Sequence, residues 1–262
     1  MNGRGQSLII QNDDCLKDIS SPSQNHMTHN IKIVSPNINH LSSIKVWLED
    51  EDEETGQGFY SNWDVIEKAY QNQQMLVLAK DSEPIAFLIY RFEELTARLE
   101  ITEVAPKFRK SGYGRMIVDD FMKMAHKQGS LAVDLYCSPE ESQEFWESVG
   151  FVKFPEMPHQ KSKIWMYKPL VETASTIESN TETEVIELWQ SSSMRSADMT
   201  WQVERDTGTN MLKQPVVFPV DDNWRLCWRN NNEMFFEDGI KYFREGNICY
   251  GNFLIIRELG RH

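Results

Sequence analysis

The stretch RKSGYG at residues 109–114 joins an alternating run, RLEITEVAP, to an apolar-periodic run, RMIVDDFMKMAH. The first run is typical of a strand and the second of an amphipathic helix. The first N–H groups of a helix have no partner within the helix, and the helix dipole favours an anion beside them. Gly112 and Gly114 leave the backbone open to a close approach, and the neighbouring cations and hydroxyl add attraction. The stretch therefore fits a phosphate group.

A basic, glycine-containing turn at a helix start is also a frequent structural feature that binds nothing. The dinucleotide fingerprint GxGxxG is absent, since Ile117 occupies the position of its third glycine. The neighbouring predicted elements are therefore needed to distinguish a phosphate-binding turn from a purely structural one.

Strands and helices alternate from about residue 30 to residue 170. Alternating or continuous apolar runs predict the strands, and apolar residues at a spacing of three and four predict the helices. Asn37 or Asn39 is suited to cap the first helix. The predicted strands lie near residues 31–34, 75–81, 84–94, 98–104, 131–138 and 164–170, and the predicted helices near residues 41–48, 63–70, 112–128 and 138–150.

Six consecutive carboxylates at residues 49–54 follow the first predicted helix. Because like charges repel, we expect a solvated and mobile loop. A cationic ligand would be drawn to this loop, although a solvated surface without a ligand is the alternative.

The last third of the chain has a different character. A Ser/Thr/Glu-rich linker is predicted at residues 171–183, and short aromatic-rich runs predict a small antiparallel β domain at residues 184–262. The pair Asp238–Gly239 predicts a hairpin turn, and Gly246–Asn247 predicts another. Partner binding, dimerisation and roofing of a pocket in the first domain are all open as roles for this part.

Composition limits the class of protein. The formal net charge of −13 opposes binding to nucleic acid or to an anionic membrane. The cysteines are far apart and no zinc spacing occurs, so we expect no metal site and no disulfide framework. Residues 1–28 are polar after a short apolar segment, which predicts a flexible leader on a cytoplasmic protein. The cysteines are Cys15, Cys137, Cys227 and Cys249.

The order of elements, the block VAPKFRKSGYGRMIVDDFMKMAHKQG and the later block EFWESVGFVKF resemble the Gcn5-related N-acetyltransferase (GNAT) family over roughly residues 29–170. The resemblance implies a mixed α/β sheet that splays into a V beside acetyl-CoA. It also implies that the turn amides bind the diphosphate and that the Val104 backbone binds the pantetheine arm. The implied cofactor-binding residues are Val104, Pro106, Arg109, Lys110, Ser111, Gly112, Tyr113, Gly114 and Arg115.

The implied reaction is transfer of an acyl group from a thioester to a neutral amine, which requires a base. Asp134 is the first candidate, because it matches the position of a glutamate base in ribosomal-protein N-terminal acetyltransferases of this family, and Glu103 is the second. Glu100 and Glu103 lie on opposite faces of a regular strand, so only one would face the substrate unless a bulge intervenes. Solvated carboxylates without a catalytic role are the alternative.

Trp146 stands where many family members carry a tyrosine that acts as the general acid. The indole N–H donates a hydrogen bond but is not a useful acid. Tyr136 or Tyr113 would have to replace it, the thiolate would leave unaided, or the domain would bind acyl-CoA without turnover.

Together these features predict an acetyl-CoA-dependent N-acetyltransferase acting on a primary amine of a cationic small molecule or peptide. A regulatory protein that binds acyl-CoA without turnover is the alternative. We expect no nucleic-acid or membrane partner, and a homodimer or protein partner bound through the C-terminal β domain.

Overall fold

The computed structural model describes residues 30–156, 163–178, 183–190, 197–231, 233–242 and 248–260. The predicted leader at residues 1–28 lies outside this part of the chain, as does the predicted turn at Gly246–Asn247. In the described residues, no helix is both long and apolar enough to cross a membrane.

The first unit is a seven-stranded mixed sheet with helices on both faces, which confirms the predicted fold. The strand order is β1-β2-β3-β4-β5-β7-β6, and all neighbours are antiparallel except β4 and β5. The strands are β1 (Ile31–Val34), β2 (Met75–Lys80), β3 (Glu83–Phe92), β4 (Thr96–Val104), β5 (Ala132–Cys137), β6 (Val152–Lys153) and β7 (Ile164–Pro169). The helices are α1 (Ile38–Thr55), α2 (Trp63–Gln71), α3 (Tyr113–Lys127) and α4 (Gln143–Ser148).

Two apolar layers hold this sheet between its helices. On one face, α3 buries Ile117 and Phe121 against strand residues that include Leu99. On the other face, α1 and α2 bury residues such as Ile44 and Ile66. The inner strand β3 is buried on both faces, as its continuous apolar run predicts.

Helix α1 is longer than its sequence predicts. It is capped by Asn37, whose side chain accepts a hydrogen bond from the N–H of His40 at 3.0 Å. It ends at Thr55, before Gly56 in the left-handed conformation. The prediction of a mobile acidic loop at residues 49–54 is therefore wrong, because those residues form the last turns of the helix.

The C-terminal part is antiparallel β structure, as predicted, and it consists of two separate sheets. One has the order β10-β14-β13 and the other the order β12-β11-β8-β9, and their facing side chains share one apolar core. The strands are β8 (Glu184–Trp189), β9 (Met199–Gln202), β10 (Met211–Pro219), β11 (Arg225–Asn230), β12 (Glu233–Gly239), β13 (Cys249–Tyr250) and β14 (Phe253–Glu258).

The predicted hairpin turn at Asp238–Gly239 is wrong. Both residues pair within β12, opposite Leu226 and Arg225 of β11. The chain reverses earlier, after Asn230, where Asn231 adopts a left-handed conformation with φ 52°. Cross-strand pairing has overridden the local preference of the Asp-Gly pair for a turn.

The C-terminal sheets pack against the strands β5 and β7 of the first unit. The ring of Phe253 lies 5.8 Å from that of Phe154 and 5.9 Å from that of Tyr167. Ala174, in the predicted linker, is buried and donates its N–H to the carbonyl oxygen of Pro215 at 2.9 Å. The C-terminal unit thus covers β5 and β7 on the face of the sheet opposite α3.

Candidate active site

A cleft opens where β4 and β5 diverge. The two strands pair only from Thr96–Leu99 with Ala132–Leu135, and beyond this point each strand continues along its other neighbour. The cleft has a volume of about 1170 Å³. Both diverging strands, the turn before α3, the segment between α1 and α2, and α4 contribute to its walls. The parting of the strands is the V that the sequence resemblance implies.

The turn before α3 forms one end of the cleft. Gly112 has φ 83° at the N-cap position of α3, a conformation that strains any residue with a Cβ atom. The first N–H groups of α3 have no acceptor within the helix. A Cβ atom on Gly114 would lie 3.4 Å from the Phe145 ring and 3.6 Å from Val104, so a larger side chain would fill this end. The backbone is open to an anion here.

The predicted cofactor residues are largely brought together at this end. Pro106 and Ser111 are not in the wall of the cleft. Arg115 is in the wall, but its guanidinium donates to the carbonyl oxygen and hydroxyl of Ser148, at 2.9 and 3.0 Å, and so joins α3 to α4. The cofactor residues that line the cleft are Val104, Arg109, Lys110, Gly112, Tyr113, Gly114 and Arg115.

A bulge in β4 brings two carboxylates to the cleft. Ile101 pairs with Ile89 and Leu99 pairs with Tyr90, so Glu100 is the extra residue between them. Both Glu100 and Glu103 line the cleft as a result. The opposite-face arrangement expected for a regular strand does not occur, because the bulge breaks the alternation.

Glu103 belongs to a compact group of charges. Its Oε1 accepts the N–H of Val104 at 3.0 Å and Nη2 of Arg109 at 2.9 Å. Arg109 also contacts the carboxylate of Glu51 on α1, at 2.6 Å from Oε1 and 2.8 Å from Oε2. Burial raises the pKa of the Glu103 carboxyl, and the charge of Arg109 opposes this rise. Glu103 is therefore a partly desolvated carboxylate beside the cleft, as a general base requires.

Asp134 lies away from the cleft. Its side chain is 3% exposed and accepts from Arg98, with Nη2 at 2.6 Å from Oδ2 and Nε at 3.1 Å from Oδ1. Asn252 of the C-terminal unit also hydrogen-bonds to it. Burial raises the pKa of Asp134, and the bond to Arg98 lowers it. The structure does not bring Asp134 together with Glu103.

Tyr136 lines the cleft on the opposite wall from Glu103. Tyr136 is 44% exposed, and its ring lies 5.8 Å from that of Trp165. Trp146 is different, since it is buried between Phe145 and Phe151, with ring distances of 4.9 and 5.4 Å. Both residues line the cleft, but Tyr136 is exposed, whereas Trp146 is mostly packed against its neighbours.

The sequence pattern missed Glu51, whose side chain is 7% exposed. The acidic run hid it, but the helical spacing of Leu41, Ile44 and Leu48 places residue 51 on the same buried face. Extending that spacing through the run would have identified it.

No group of histidine, cysteine or acidic side chains in the described ranges could hold a metal ion. No described residue after Trp146 lines the cleft. Within the same ranges, Cys137 and Cys227 are buried thiols that form no disulfide.

Comparison with known proteins gives a family match. Residues 41–151 match the family model described as acetyltransferase (GNAT) family. A search of curated proteins found no match.

Solved structures similar to part of this chain include the following three proteins. Ard1 from Thermoplasma volcanium is 19% identical, covering 54% of this chain and 99% of its own, with a TM-score of 0.45. The PaiA N-acetyltransferase from Thermoplasma acidophilum, in complex with coenzyme A, is 19% identical, covering 53% and 99%, with a TM-score of 0.43. N-acetylglutamate synthase from Neisseria gonorrhoeae, with coenzyme A and N-acetylglutamate, is 13% identical, covering 54% and 35%, with a TM-score of 0.43.

Proposed function

Given that the chain contains an acetyltransferase domain of the GNAT family at residues 41–151, we propose that it transfers an acetyl group from acetyl-CoA to a primary amine of a cationic small molecule or peptide. The observation that carries this proposal is the cleft between the diverging strands β4 and β5. An open helix N-terminus lies at one end of it, and the partly buried carboxylate of Glu103 lines it.

The turn before α3 suits the phosphate end of the donor. The N–H groups from Gly112 to Arg115 would bind the diphosphate, and the exposed Lys110 would add a positive charge. The Arg109 side chain is held by Glu51 and Glu103, so its part would be to shape the turn. Val104 would lie beside the pantetheine arm. Its N–H is donated to Oε1 of Glu103 at 3.0 Å, so this hydrogen bond would have to break before the N–H could bind the pantetheine.

The remaining walls suit a cationic acceptor. The carboxylates of Glu100 and Glu141 line the cleft in addition to Glu103. They supply the attraction that the sequence analysis assigned to the acidic run. Phe59 and Tyr136 add aromatic faces, which also attract a cation.

Side chains of this protein can accept and donate the protons that the transfer requires. Glu103 would take a proton from the acceptor ammonium, either directly or through water, so that the neutral nitrogen attacks the thioester carbonyl carbon. The C–N bond forms as the C–S bond breaks, and the phenol of Tyr136 would give a proton to the leaving thiolate. The proton that the attacking nitrogen loses would then restore the phenol through water. The indole N–H of Trp146 is not a useful acid, which is why Tyr136 takes the role.

The C-terminal unit does not need to contact either substrate. Since its described residues lie outside the cleft, we keep dimerisation or partner binding as its proposed role. We also infer that the reaction takes place in the cytoplasm.

The test is the release of coenzyme A from acetyl-CoA with a panel of polyamines, aminoglycosides, amino acids and lysine-containing peptides. We expect release with one class of cationic amine. Glu103→Gln should lower kcat by about 100-fold or more. Its affinity for acetyl-CoA, measured by calorimetry, should stay close to wild type. Glu67→Gln, on the exposed side of α2, is the matched control and should behave like the wild type.

Two outcomes would contradict parts of this proposal. Tight acetyl-CoA binding with no release for any amine would favour the regulatory alternative, which the buried Trp146 already motivates. Full turnover in Glu103→Gln would show that the base is another group.

A further inference from the structure

Glu51 is a buried carboxylate that the acyl transfer itself does not use. It lies near the end of α1 and reaches across to the turn before α3. A single nitrogen, Nη2 of Arg109, lies 2.6 Å from Oε1 of Glu51 and 2.9 Å from Oε1 of Glu103. The same guanidinium donates from Nε to the carbonyl oxygen of Val104 at 3.0 Å, which fixes its position. One cation is therefore shared by two carboxylates.

The backbone between α1 and α2 closes over Glu51. Gly58 has φ 94°, and a Cβ atom there would lie 3.2 Å from Oε2 of Glu51. The approach of this backbone, together with burial, keeps water from replacing Arg109 as the partner of Glu51. The arrangement is built for this carboxylate and is not an incidental surface contact.

The charges that face Glu103 can be named element by element. Arg109 approaches from the turn, Glu51 from α1, and the N–H of Val104 from β4 itself. Opposite Glu103 on β3 lies the uncharged Phe87. Glu100, on the same strand, pairs with Arg91 at 3.2 Å. The charge of Glu51 and the charge of Arg109 thus act on Glu103 in opposite directions.

We propose that Glu51 is a positioning residue for the acyl transfer, which holds Arg109 in the cleft wall and draws its charge away from Glu103, so that Glu103 remains a competent base. This inference rests on the proposed function, since it concerns the base of that reaction. Without Glu51, Arg109 would have Glu103 as its remaining carboxylate partner among the described residues and would form a full ion pair with it. A carboxylate held in a full ion pair is a weaker base.

The direct test is a carboxyl ¹³C NMR titration of Glu103 in the full chain, which needs no turnover. In Glu51→Gln, the pKa of Glu103 should fall by about 1 to 2 pH units, because a like charge within about 6 Å is removed. Glu54→Gln, an exposed residue of the same acidic run, is the matched control and should leave the pKa unchanged. An unchanged pKa in Glu51→Gln would overturn the proposal.

A second measurement covers the case in which Glu51→Gln does not fold. Glu51→Asp keeps the negative charge but shortens the reach to Arg109, so Arg109 should move towards Glu103 and the pKa of Glu103 should fall. An unchanged pKa of Glu103 in this variant would contradict the shared-cation arrangement.

Kinetics then separate this proposal from the proposed function. If the wild type turns over, Glu51→Gln should move the rise of kcat/KM to lower pH and lower its plateau about 3- to 10-fold, as expected for a weaker base. A loss of activity with no shift in pH would indicate only a structural role for Glu51 and would refute the proposal. If no amine releases coenzyme A, the proposed function fails, while the NMR titration still decides the role of Glu51.

Discussion

Replacing Asp134 by asparagine should destabilise the fold while leaving the acyl-transfer chemistry intact. The Asp134 carboxylate is 3% exposed and makes a bidentate pair with Arg98, whose side chain is 20% exposed. Asparagine has nearly the same shape but no charge, so it leaves the Arg98 guanidinium without its buried counter-ion.

The magnitude follows from that geometry. Breaking a buried ion pair by removing one partner typically costs about 3–5 kcal/mol. The asparagine oxygen can still accept one bond, and Arg98 retains some contact with water, so we expect a loss of about 2–3 kcal/mol in the free energy of unfolding. This loss corresponds to a fall of about 4–12 °C in Tm for a chain of this size.

The assay is urea and thermal unfolding, combined with coenzyme A release per folded molecule. Asp120→Asn, which breaks an exposed pair with Lys123 on α3, is the matched control and should leave Tm unchanged. Replacing both partners, Arg98→Met with Asp134→Leu, should recover much of the lost stability. If Asp134→Asn instead keeps wild-type stability and acetyl-CoA affinity but loses turnover by 100-fold, Asp134 is the base and the reasoning from burial is refuted.

Two further substitutions test the ends of the cleft. Gly112→Ala should lower acetyl-CoA affinity about 10-fold, measured by calorimetry, because φ 83° at the start of α3 strains a residue with a Cβ atom. Gly208→Ala, at φ 81° in the C-terminal unit, carries the same strain and should leave that affinity unchanged; equal losses in both variants would show that general destabilisation is responsible. Tyr136→Phe should lower kcat about 10-fold with little change in the KM for acetyl-CoA, whereas the exposed Tyr242→Phe should have no effect; wild-type kcat in Tyr136→Phe would exclude the phenol as the acid.

Local patterns predicted the elements and the turn before α3 well. The strand and helix periods on either side of residues 109–114 gave β4 and α3 to within two residues at each end. The glycine at position 112 is needed for a left-handed conformation, a requirement visible from residue type alone. The family resemblance then supplied the V-shaped opening, which no local pattern contains.

Interactions between distant segments account for the errors. The alternation of β5 correctly places Asp134 and Tyr136 on one face, but it says nothing about Asn252, which hydrogen-bonds to Asp134. In the same way, the repulsion among the acidic residues predicted a solvated loop. Arg109, from a distant turn, instead stabilises Glu51 within that run. Pairing with β11 similarly keeps the Asp-Gly pair in a strand and not in a turn.

The aromatic contact between the two units has a consequence for relatives of this chain. Phe154 and Tyr167 of the first unit are covered by Phe253 and Phe218 of the C-terminal sheets. A domain without that cover would expose a continuous aromatic patch and would tend to self-associate. Related domains that stand alone should therefore carry polar residues at these two positions. The residue type at positions 154 and 167 should thus indicate, from sequence alone, which relatives carry a C-terminal unit of this kind.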